Sequence, residues 1–226
     1  MKDKTLGILI GKKNYSESSL ILSFFTKNQG LVSFIFKGAK KKQTVFFYLG
    51  FYELSYFLRP ESDLGIIQSV NKIVILKEIF SDPRKLMISY FLTEVLRKSL
   101  KEEQPDTAIY EFLKNEILTL ESQAELLLFP ISFLLRYIQL LGFAPVVDDT
   151  KSTEFDQKLS LVTLSKSEND LKAVKLMSDL LNQNKVETDQ KTTQRALLLI
   201  LDYYKKHLPN FQIDTTLKVI RETLYD

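Results

Sequence analysis

Residues 14–42 read NYSESSLILSFFTKNQGLVSFIFKGAKKK, and this stretch decides the fold of the first part of the chain. Within it, Ser19 to Phe25 and Leu31 to Phe36 are rich in Leu, Ile and Phe, which favours two buried strands. The residues between them end in Gly30, and a short loop that ends in glycine is typical of a β-hairpin. The stretch therefore predicts two antiparallel strands joined by a tight turn.

A cluster of lysines follows the second strand directly, at Lys37 and Lys40 to Lys42. Several ammonium groups on a loop that leaves a sheet favour the binding of a polyanion. In most proteins such a run is only a solvated turn, and this alternative stays open. The position of the cluster beside a predicted barrel strand makes us favour a binding surface.

Three further segments complete the predicted sheet. Thr5 to Lys13 reads as a first strand, Val45 to Leu58 as a long aromatic strand that Gly50 allows to bend, and Leu64 to Leu76 as a fifth. Five strands in residues 1–79 are typical of a small closed barrel of the OB type. We therefore expect residues 1–79 to form an OB-type barrel domain with the lysine cluster as a site for a polyanion.

The pattern changes at Asp82-Pro83, where an aspartate can cap a helix and a proline can occupy its first position. Apolar residues then recur at helical spacing and predict six helices, near 84–100, 106–117, 123–141, 171–181, 192–206 and 217–224. Residues 146–169 lack this period and predict an irregular insertion with a small hairpin. The expected fold is α+β, an OB-type barrel (1–79) followed by a helical domain (80–226).

Composition excludes several classes of site. The chain has no cysteine and one histidine, which excludes disulfides, thiolate metal sites and a cysteine nucleophile, and we expect no metal and no cofactor. Residues 1–79 carry 12 basic and 6 acidic side chains, whereas the remainder carries 19 basic and 22 acidic ones. The two parts of the chain are therefore expected to meet different partners.

No targeting or catalytic pattern is present in the sequence. Residues 1–11 do not resemble a signal peptide, and the apolar stretch 126–141 is short and contains Arg136, so we predict a buried helix and a cytoplasmic protein. Nucleotide-binding and hydrolase motifs are lacking. Acidic pairs such as Asp148-Asp149 have no nucleophile or oxyanion donor around them. We expect no enzymatic activity.

The candidate nucleic-acid contacts are basic side chains at predicted strand ends and loops of the first domain, together with one tyrosine in a polar setting. They are Lys12, Lys13, Tyr15, Lys37, Lys40, Lys41, Lys42 and Arg59. Base stacking is a further hypothesis for Phe34, Phe36, Tyr48 and Tyr52, although a core position is the more common role for each of them. Arg136 is a candidate for binding an acidic, carboxylate-ending peptide, with an ion pair or an exposed helix edge as alternatives.

Three pieces of the chain, in order, resemble the bacterial recombination mediator family RecO. The first comprises Tyr15-Ser16-Glu17-Ser18, Phe25-Thr26, Gly30 and Lys37-Gly38-Ala39-Lys40. The others are Leu135 to Pro145 (LRYIQLLGFAP) and the pair Tyr203-Tyr204 with Leu217 to Leu224. The chain has Ser16 where the family usually has Gly, Lys40 where it usually has Arg, and Thr215 where a Lys commonly precedes the last helix. It also lacks the four cysteines with which many members bind zinc.

The resemblance implies an OB domain and a helical domain that bind single- and double-stranded DNA and anneal complementary strands. It also implies work with RecR to load the recombinase RecA, and docking on the tail of single-strand-binding protein. A zinc site is not expected here. The alternative is a protein-protein adaptor whose barrel binds no nucleic acid and whose lysines serve solubility.

Overall fold

The computed structural model describes residues 2–39, 45–57, 64–101, 104–145, 167–213 and 215–225. Five strands form a closed barrel in the order β1-β2-β3-β5-β4. They are β1 Lys2–Asn14, β2 Leu20–Thr26, β3 Gly30–Phe36, β4 Phe51–Phe57 and β5 Leu64–Lys72. All neighbours are antiparallel except β3 and β5, which are parallel. The predicted OB-type barrel is confirmed.

The long strand β1 closes the barrel because it pairs with both β2 and β4. Its first half pairs with β4, from Lys2 opposite Phe57 to Ile8 opposite Phe51, and its second half pairs with β2. The register with β2 shifts between Leu9 and Gly11. A bulge of this kind bends and twists a strand, which lets one strand turn from one partner to the next.

The barrel has two ends that differ in chemistry. Asn14 pairs with Leu20 and Leu20 pairs with Phe36, so the end of β1, the start of β2 and the end of β3 meet at one end, which we call the cationic end. Since β5 runs parallel to β3, its last residue, Lys72, also lies toward this end. Thr26 and Gly30 pair at the opposite end, which we call the hairpin end.

Aromatic and aliphatic side chains fill the barrel between these ends. Phe24, Phe34 and Leu54 are fully buried, and Phe34 meets the Tyr56 ring edge-on at 4.9 Å between centroids. Each large apolar side chain that is removed from water stabilises the fold by about 1.5–3 kcal/mol. The barrel interior is therefore a packed core of buried side chains.

The hairpin end is packed against the helices of the same unit. Gly30 has a positive φ of 69°, and a Cβ at this position would lie 2.3 Å from the carbonyl oxygen of Gln104. The buried Thr26 hydroxyl donates to the Gly30 carbonyl and accepts from the Gln29 N–H. Lys27 donates to the Glu111 carboxylate at 2.8 Å. Only glycine fits the contact at residue 30.

Part of the predicted fourth strand is not a strand. The prediction of one strand over 45–58 is wrong, because β4 begins at Phe51 and residues 45–50 form a loop with a turn. Leu49 has a positive φ of 59°. Its N–H donates to the Leu9 carbonyl, and the Leu9 N–H donates to the Gly50 carbonyl. The buried Phe46 and Leu49 point into the core, and this burial holds the turn in place.

Seven helices are present among the described residues. They are α1 Lys77–Ser81, α2 Pro83–Ser99, α3 Thr107–Ser122, α4 Phe129–Leu140, α5 Glu168–Leu181, α6 Gln190–His207 and α7 Thr215–Leu224. The predicted cap is confirmed, since the Asp82 carboxylate accepts the Arg84 N–H at 2.8 Å. The start predicted for α4 near residue 123 is wrong, because Pro130 is tolerated only in a first helical turn.

The chain divides into two compact units, Met1–Glu121 and Ser122–Asp226. In the first unit the Glu121 carboxylate accepts the N–H groups of Glu78 and Ile79, both at 2.9 Å, and so caps α1. Lys85 donates to the Glu121 carbonyl at 2.7 Å, which ties α2 to the end of α3. The domain boundary between residues 79 and 80 stays a prediction.

The second unit has its own core of buried aromatic residues. The Tyr204 hydroxyl donates to the Leu134 carbonyl at 2.8 Å, and burial raises the pKa of this tyrosine. Asp170 is buried and pairs with Arg195, which joins α5 to α6. Most of the predicted insertion, 146–166, lies outside the described residues. None of the helices that the structure describes is long and apolar enough to cross a membrane.

Candidate nucleic-acid interface

The cationic end gathers lysines from separate strands. Lys12 and Lys13 lie near the end of β1 and pair with Leu22 and Ile21 of β2. Lys37 follows Phe36, the last residue of β3, at the same end. All three lysine side chains are exposed. The strand register thus brings Lys37 to the same end as the adjacent pair Lys12-Lys13, and long ammonium side chains at such positions are well placed to meet phosphates.

The turn between β1 and β2 presents Tyr15 beside these lysines. Tyr15 is 58% exposed, and its N–H donates to the Ser19 carbonyl at 3.1 Å. The Ser16 hydroxyl accepts the Ser19 N–H at 3.2 Å, so the serine that replaces the usual glycine of the RecO pattern helps to close the turn. Glu17 is an exposed acidic residue in the same turn. The interface is therefore basic but not uniformly so.

Lys37-Gly38-Ala39 has a clear structural role at the end of β3. Gly38 has a positive φ of 68°, and a Cβ at this position would meet nothing within 4 Å. Ala39 is 1% exposed and belongs to the barrel core. The left-handed turn at Gly38 returns the chain to the core directly after Lys37, so the lysine remains in solvent.

Two aromatic residues of the loop before β4 extend this surface. The Lys12 Nζ lies 5.9 Å from the centroid of the Tyr48 ring, and Tyr48 meets the Tyr90 ring edge-on at 5.7 Å. The Lys72 Nζ lies 4.6 Å from the centroid of the Phe47 ring. Contacts of a cation with the face of an aromatic ring are attractive. The two cation contacts connect β1 and β5 to the loop, and the contact between the tyrosine rings connects the loop to α2.

Sequence reasoning did not select Lys72 or Tyr90. A signal for Tyr90 was available, because it is a tyrosine that falls off the apolar stripe formed by Ile88, Leu92 and Val95 along α2. Lys72 carried no such signal. Its proximity to Phe47 depends on the pairing of β5 with β4, which places Lys72 opposite Tyr52.

Three of the aromatic residues considered for base stacking lie in the core instead. Phe34, Phe36 and Tyr52 are at most 2% exposed. The Tyr52 hydroxyl accepts the Phe47 N–H at 3.0 Å, and burial raises the pKa of this tyrosine. The core alternative is therefore confirmed for these three. Tyr48 is the one of the four that is only half-buried.

The remaining five predicted contacts are four basic residues of the first domain and Arg136. Lys40, Lys41, Lys42 and Arg59 lie outside the described residues. Arg136 lies on the exposed side of α4, and its Nε donates to the Ser132 carbonyl one turn earlier at 3.2 Å.

Comparisons with known proteins agree with the resemblance seen in the sequence. Residues 1–74 match the family described as recombination protein O N terminal, and residues 80–215 match recombination protein O C terminal. A protein named DNA repair protein RecO from Bacteroides fragilis is 29% identical over 245 residues, which cover 100% of both chains. The protein of the same name from Flavobacterium johnsoniae is 27% identical and covers 98% of this chain and 99% of its own. The chain therefore belongs to the recombination protein O (RecO) family.

Proposed function

We propose that the protein binds DNA through the cationic end of its barrel and anneals complementary single strands in DNA repair. The observation that carries this proposal is the convergence of Lys12, Lys13, Lys37 and the exposed Tyr15 at one end of a closed barrel. The opposite end is occupied by contacts with the helices. Lys40, Lys41, Lys42 and Arg59 are further proposed contacts from the sequence alone.

Annealing at such a surface needs no bond chemistry. Two complementary strands repel each other through their phosphates, and a positive surface reduces that repulsion. Strands held on one surface also meet at a high effective concentration. The lysines of the cationic end supply the charge for both effects, and no acid, base or nucleophile is required.

The test removes charge from the cationic end in one variant and from other exposed lysines of the same unit in a second variant. One variant carries Lys12→Gln, Lys13→Gln and Lys37→Gln. The matched control carries Lys27→Gln, Lys98→Gln and Lys114→Gln, which are exposed lysines of the same unit. Lys27 and Lys114 both pair with Glu111, and Lys98 lies in the last turn of α2. Both variants lose the same net charge. Affinity for a single-stranded oligonucleotide and the rate of annealing are measured over a series of salt concentrations.

If the three lysines of the cationic end each neutralise a phosphate, their removal lowers the slope of log affinity against log salt by about two. The control variant keeps the slope of the parent protein. Equal slopes for the two variants overturn the assignment of the site. No binding by the parent protein, even at low salt, overturns DNA binding itself and favours the adaptor alternative.

The helical unit is proposed to carry protein partners. With RecR, the protein helps to load RecA onto single-stranded DNA that is coated by single-strand-binding protein. The expected result is faster RecA assembly on such coated DNA when both proteins are present than with either alone. An unchanged rate contradicts this role and leaves the DNA-binding proposal intact.

Arg136 is proposed to hold the acidic tail of single-strand-binding protein. An exposed guanidinium pairs well with a carboxylate, because two parallel hydrogen bonds form. Titration of a labelled tail peptide is expected to show weaker binding by Arg136→Ala than by the parent protein. Arg97→Ala, which removes an exposed arginine of α2, serves as the control. Equal affinities of both variants would remove Arg136 from the site.

A further inference from the structure

The loop before β4 holds two neighbouring aromatic side chains outside the barrel core. The N–H of Leu49 donates to Leu9 at 2.9 Å, and the N–H of Gly50 donates to the Phe47 carbonyl at 3.2 Å. The Phe47 N–H donates in turn to the Tyr52 hydroxyl. Leu49 itself is 1% exposed. The backbone of this loop is therefore fixed, and Phe47 and Tyr48 have defined positions on the surface.

The two aromatic side chains differ in what covers them. Phe47 stacks on Phe80 at 3.9 Å with an angle of 27° between the rings, and Lys72 lies over the Phe47 ring. The Phe47 ring therefore has neighbours from both α1 and β5. Tyr48 meets Tyr90 at 77°, and an edge-on contact leaves most of the ring faces of a pair unstacked. Phe47 supports the loop, whereas the tyrosine pair has no stacked ring of its own among the described residues and offers ring surface to a flat ligand, with Lys12 over part of Tyr48 at 5.9 Å.

Exposure separates the tyrosine pair from the tyrosines of the barrel core. Tyr90 is 39% exposed and Tyr48 is half-buried, whereas the core tyrosines Tyr52 and Tyr56 are 2% exposed. Lys12 lies at the Tyr48 ring and belongs to the set of lysines proposed above to meet phosphates. A flat aromatic surface with an ammonium group beside it matches the two parts of a nucleotide, the base and the phosphate.

We propose that Tyr48 and Tyr90, with Lys12 beside them, form a base-stacking site that makes the cationic end prefer single-stranded over double-stranded DNA. The proposal rests on the DNA-binding function proposed above. In a duplex the bases are paired and stacked on one another, so their faces are not accessible to a protein ring. In a single strand they are, and stacking on a tyrosine is tolerant of sequence because every base has an aromatic face.

The first test needs no variant. The parent protein is titrated with oligo-dT and with an abasic oligomer of the same length, which keeps the phosphates and lacks the bases. Stacking predicts about 5- to 150-fold tighter binding of oligo-dT for one stacked base. Equal affinities for the two oligomers overturn the inference while DNA binding stands. Binding of neither oligomer overturns both proposals.

The second test assigns the preference to the tyrosine pair. The double variant Tyr48→Leu/Tyr90→Leu is expected to bind oligo-dT as weakly as the abasic oligomer, with its salt slope unchanged because no lysine is lost. Phe57→Leu, which removes a 37% exposed aromatic ring on the opposite part of the barrel, serves as the control and keeps the preference. A double variant that retains the preference for bases contradicts the assignment.

A conservative variant separates stacking from a role in folding. Tyr48→Phe keeps the ring, so its affinity for oligo-dT is expected to stay within about twofold of the parent value. The chain has no tryptophan and ten tyrosines, so its intrinsic fluorescence comes from tyrosine. Oligo-dT is expected to quench less of that fluorescence in Tyr48→Phe. Unchanged quenching at saturation would show that Tyr48 does not contact the bases.

Discussion

The two ends of the barrel contain turns with the same backbone conformation, but the two turns have opposite structural roles. Gly30 at the hairpin end and Gly38 at the cationic end have nearly the same positive φ, 69° and 68°. A side chain at Gly30 would meet the backbone of Gln104, whereas a side chain at Gly38 would meet open space. The same turn conformation therefore fixes the barrel on its helices at one end and displays a lysine at the other.

Hydroxyl groups show the same contrast. Thr26 closes the turn at the hairpin end and is fully buried, whereas Ser16 closes the turn at the cationic end and is exposed. The Phe25-Thr26 and Gly30 part of the RecO pattern is thus explained by packing. The Lys37-Gly38-Ala39 part is explained by the presentation of charge. The motif spans both ends of the barrel, so its residues are needed for packing at one end and for the display of a lysine at the other.

The largest expected effect tests the two glycines against each other. Gly30→Ala is expected to lower the free energy of unfolding by about 2–5 kcal/mol, because it adds a clash with Gln104 to the cost of a left-handed alanine. Gly38→Ala is expected to cost only the strain of a left-handed alanine, about 1–2 kcal/mol, because no clash is added. Urea unfolding followed by circular dichroism measures both. Equal losses would show that the contact with Gln104 does not constrain residue 30.

The second prediction compares the two turn hydroxyls. Thr26→Val keeps the shape of a buried side chain and removes its hydrogen bonds with Gly30 and Gln29, so we expect a loss of about 1–3 kcal/mol. Ser16→Ala, at an exposed site, is expected to change the stability by about 0.5 kcal/mol or less. The same unfolding measurement applies. A larger loss for Ser16→Ala would reverse the comparison.

The third prediction concerns a single charge at each end. Lys37→Gln is expected to lower the slope of log affinity against log salt for single-stranded DNA by about 0.7. Lys27→Gln, which removes a lysine that is paired with Glu111 at the hairpin end, is expected to leave the slope unchanged. Fluorescence anisotropy with a labelled oligonucleotide measures both slopes. If Lys27→Gln lowers the slope as well, DNA binding is not confined to the cationic end.

The smallest expected effect is a shift in one titration at the hairpin end. The hydrogen bond from Lys27 lowers the pKa of the Glu111 carboxyl below its usual value. The ion pair therefore adds stability above the ordinary carboxyl pKa, and this stability is lost as the pH falls through the lowered pKa of the folded protein. Carboxyl NMR titration of Lys27→Gln is expected to show a higher pKa for Glu111. An unchanged pKa would mean that the pair does not persist in solution.

Local patterns were sufficient to predict the barrel and most helices. The hairpin strands, the cap at Asp82 and the apolar stripe of α2 are each specified by residues close together in the sequence. The loop at Phe47 and Tyr48 was predicted wrongly as a strand, because a run of aromatic residues looks the same whether it is paired or turned. The short helix α1 depends on a cap from the distant Glu121 and left no local pattern.

Only part of the candidate site could be predicted from the sequence, because some of its contacts depend on residues that are far apart in the chain. Lys12, Lys13 and Lys37 could be selected because each lies at the end of a predictable strand. The proximity of Tyr48 to Tyr90 and of Phe47 to Lys72 requires the closed barrel and the position of α2, which no spacing in the sequence encodes. The assignment of Phe34, Phe36 and Tyr52 to the core also required the strand register.

The order of the strands sets a requirement on how the protein folds during synthesis. β1 cannot complete its pairing until β4 has left the ribosome, because Ile8 pairs with Phe51, and β3 must wait for β5. Until then the first three strands expose side chains such as Phe24 and Phe34, which are buried in the finished barrel. Pairing over such long stretches of chain slows folding and exposes the nascent polypeptide to aggregation.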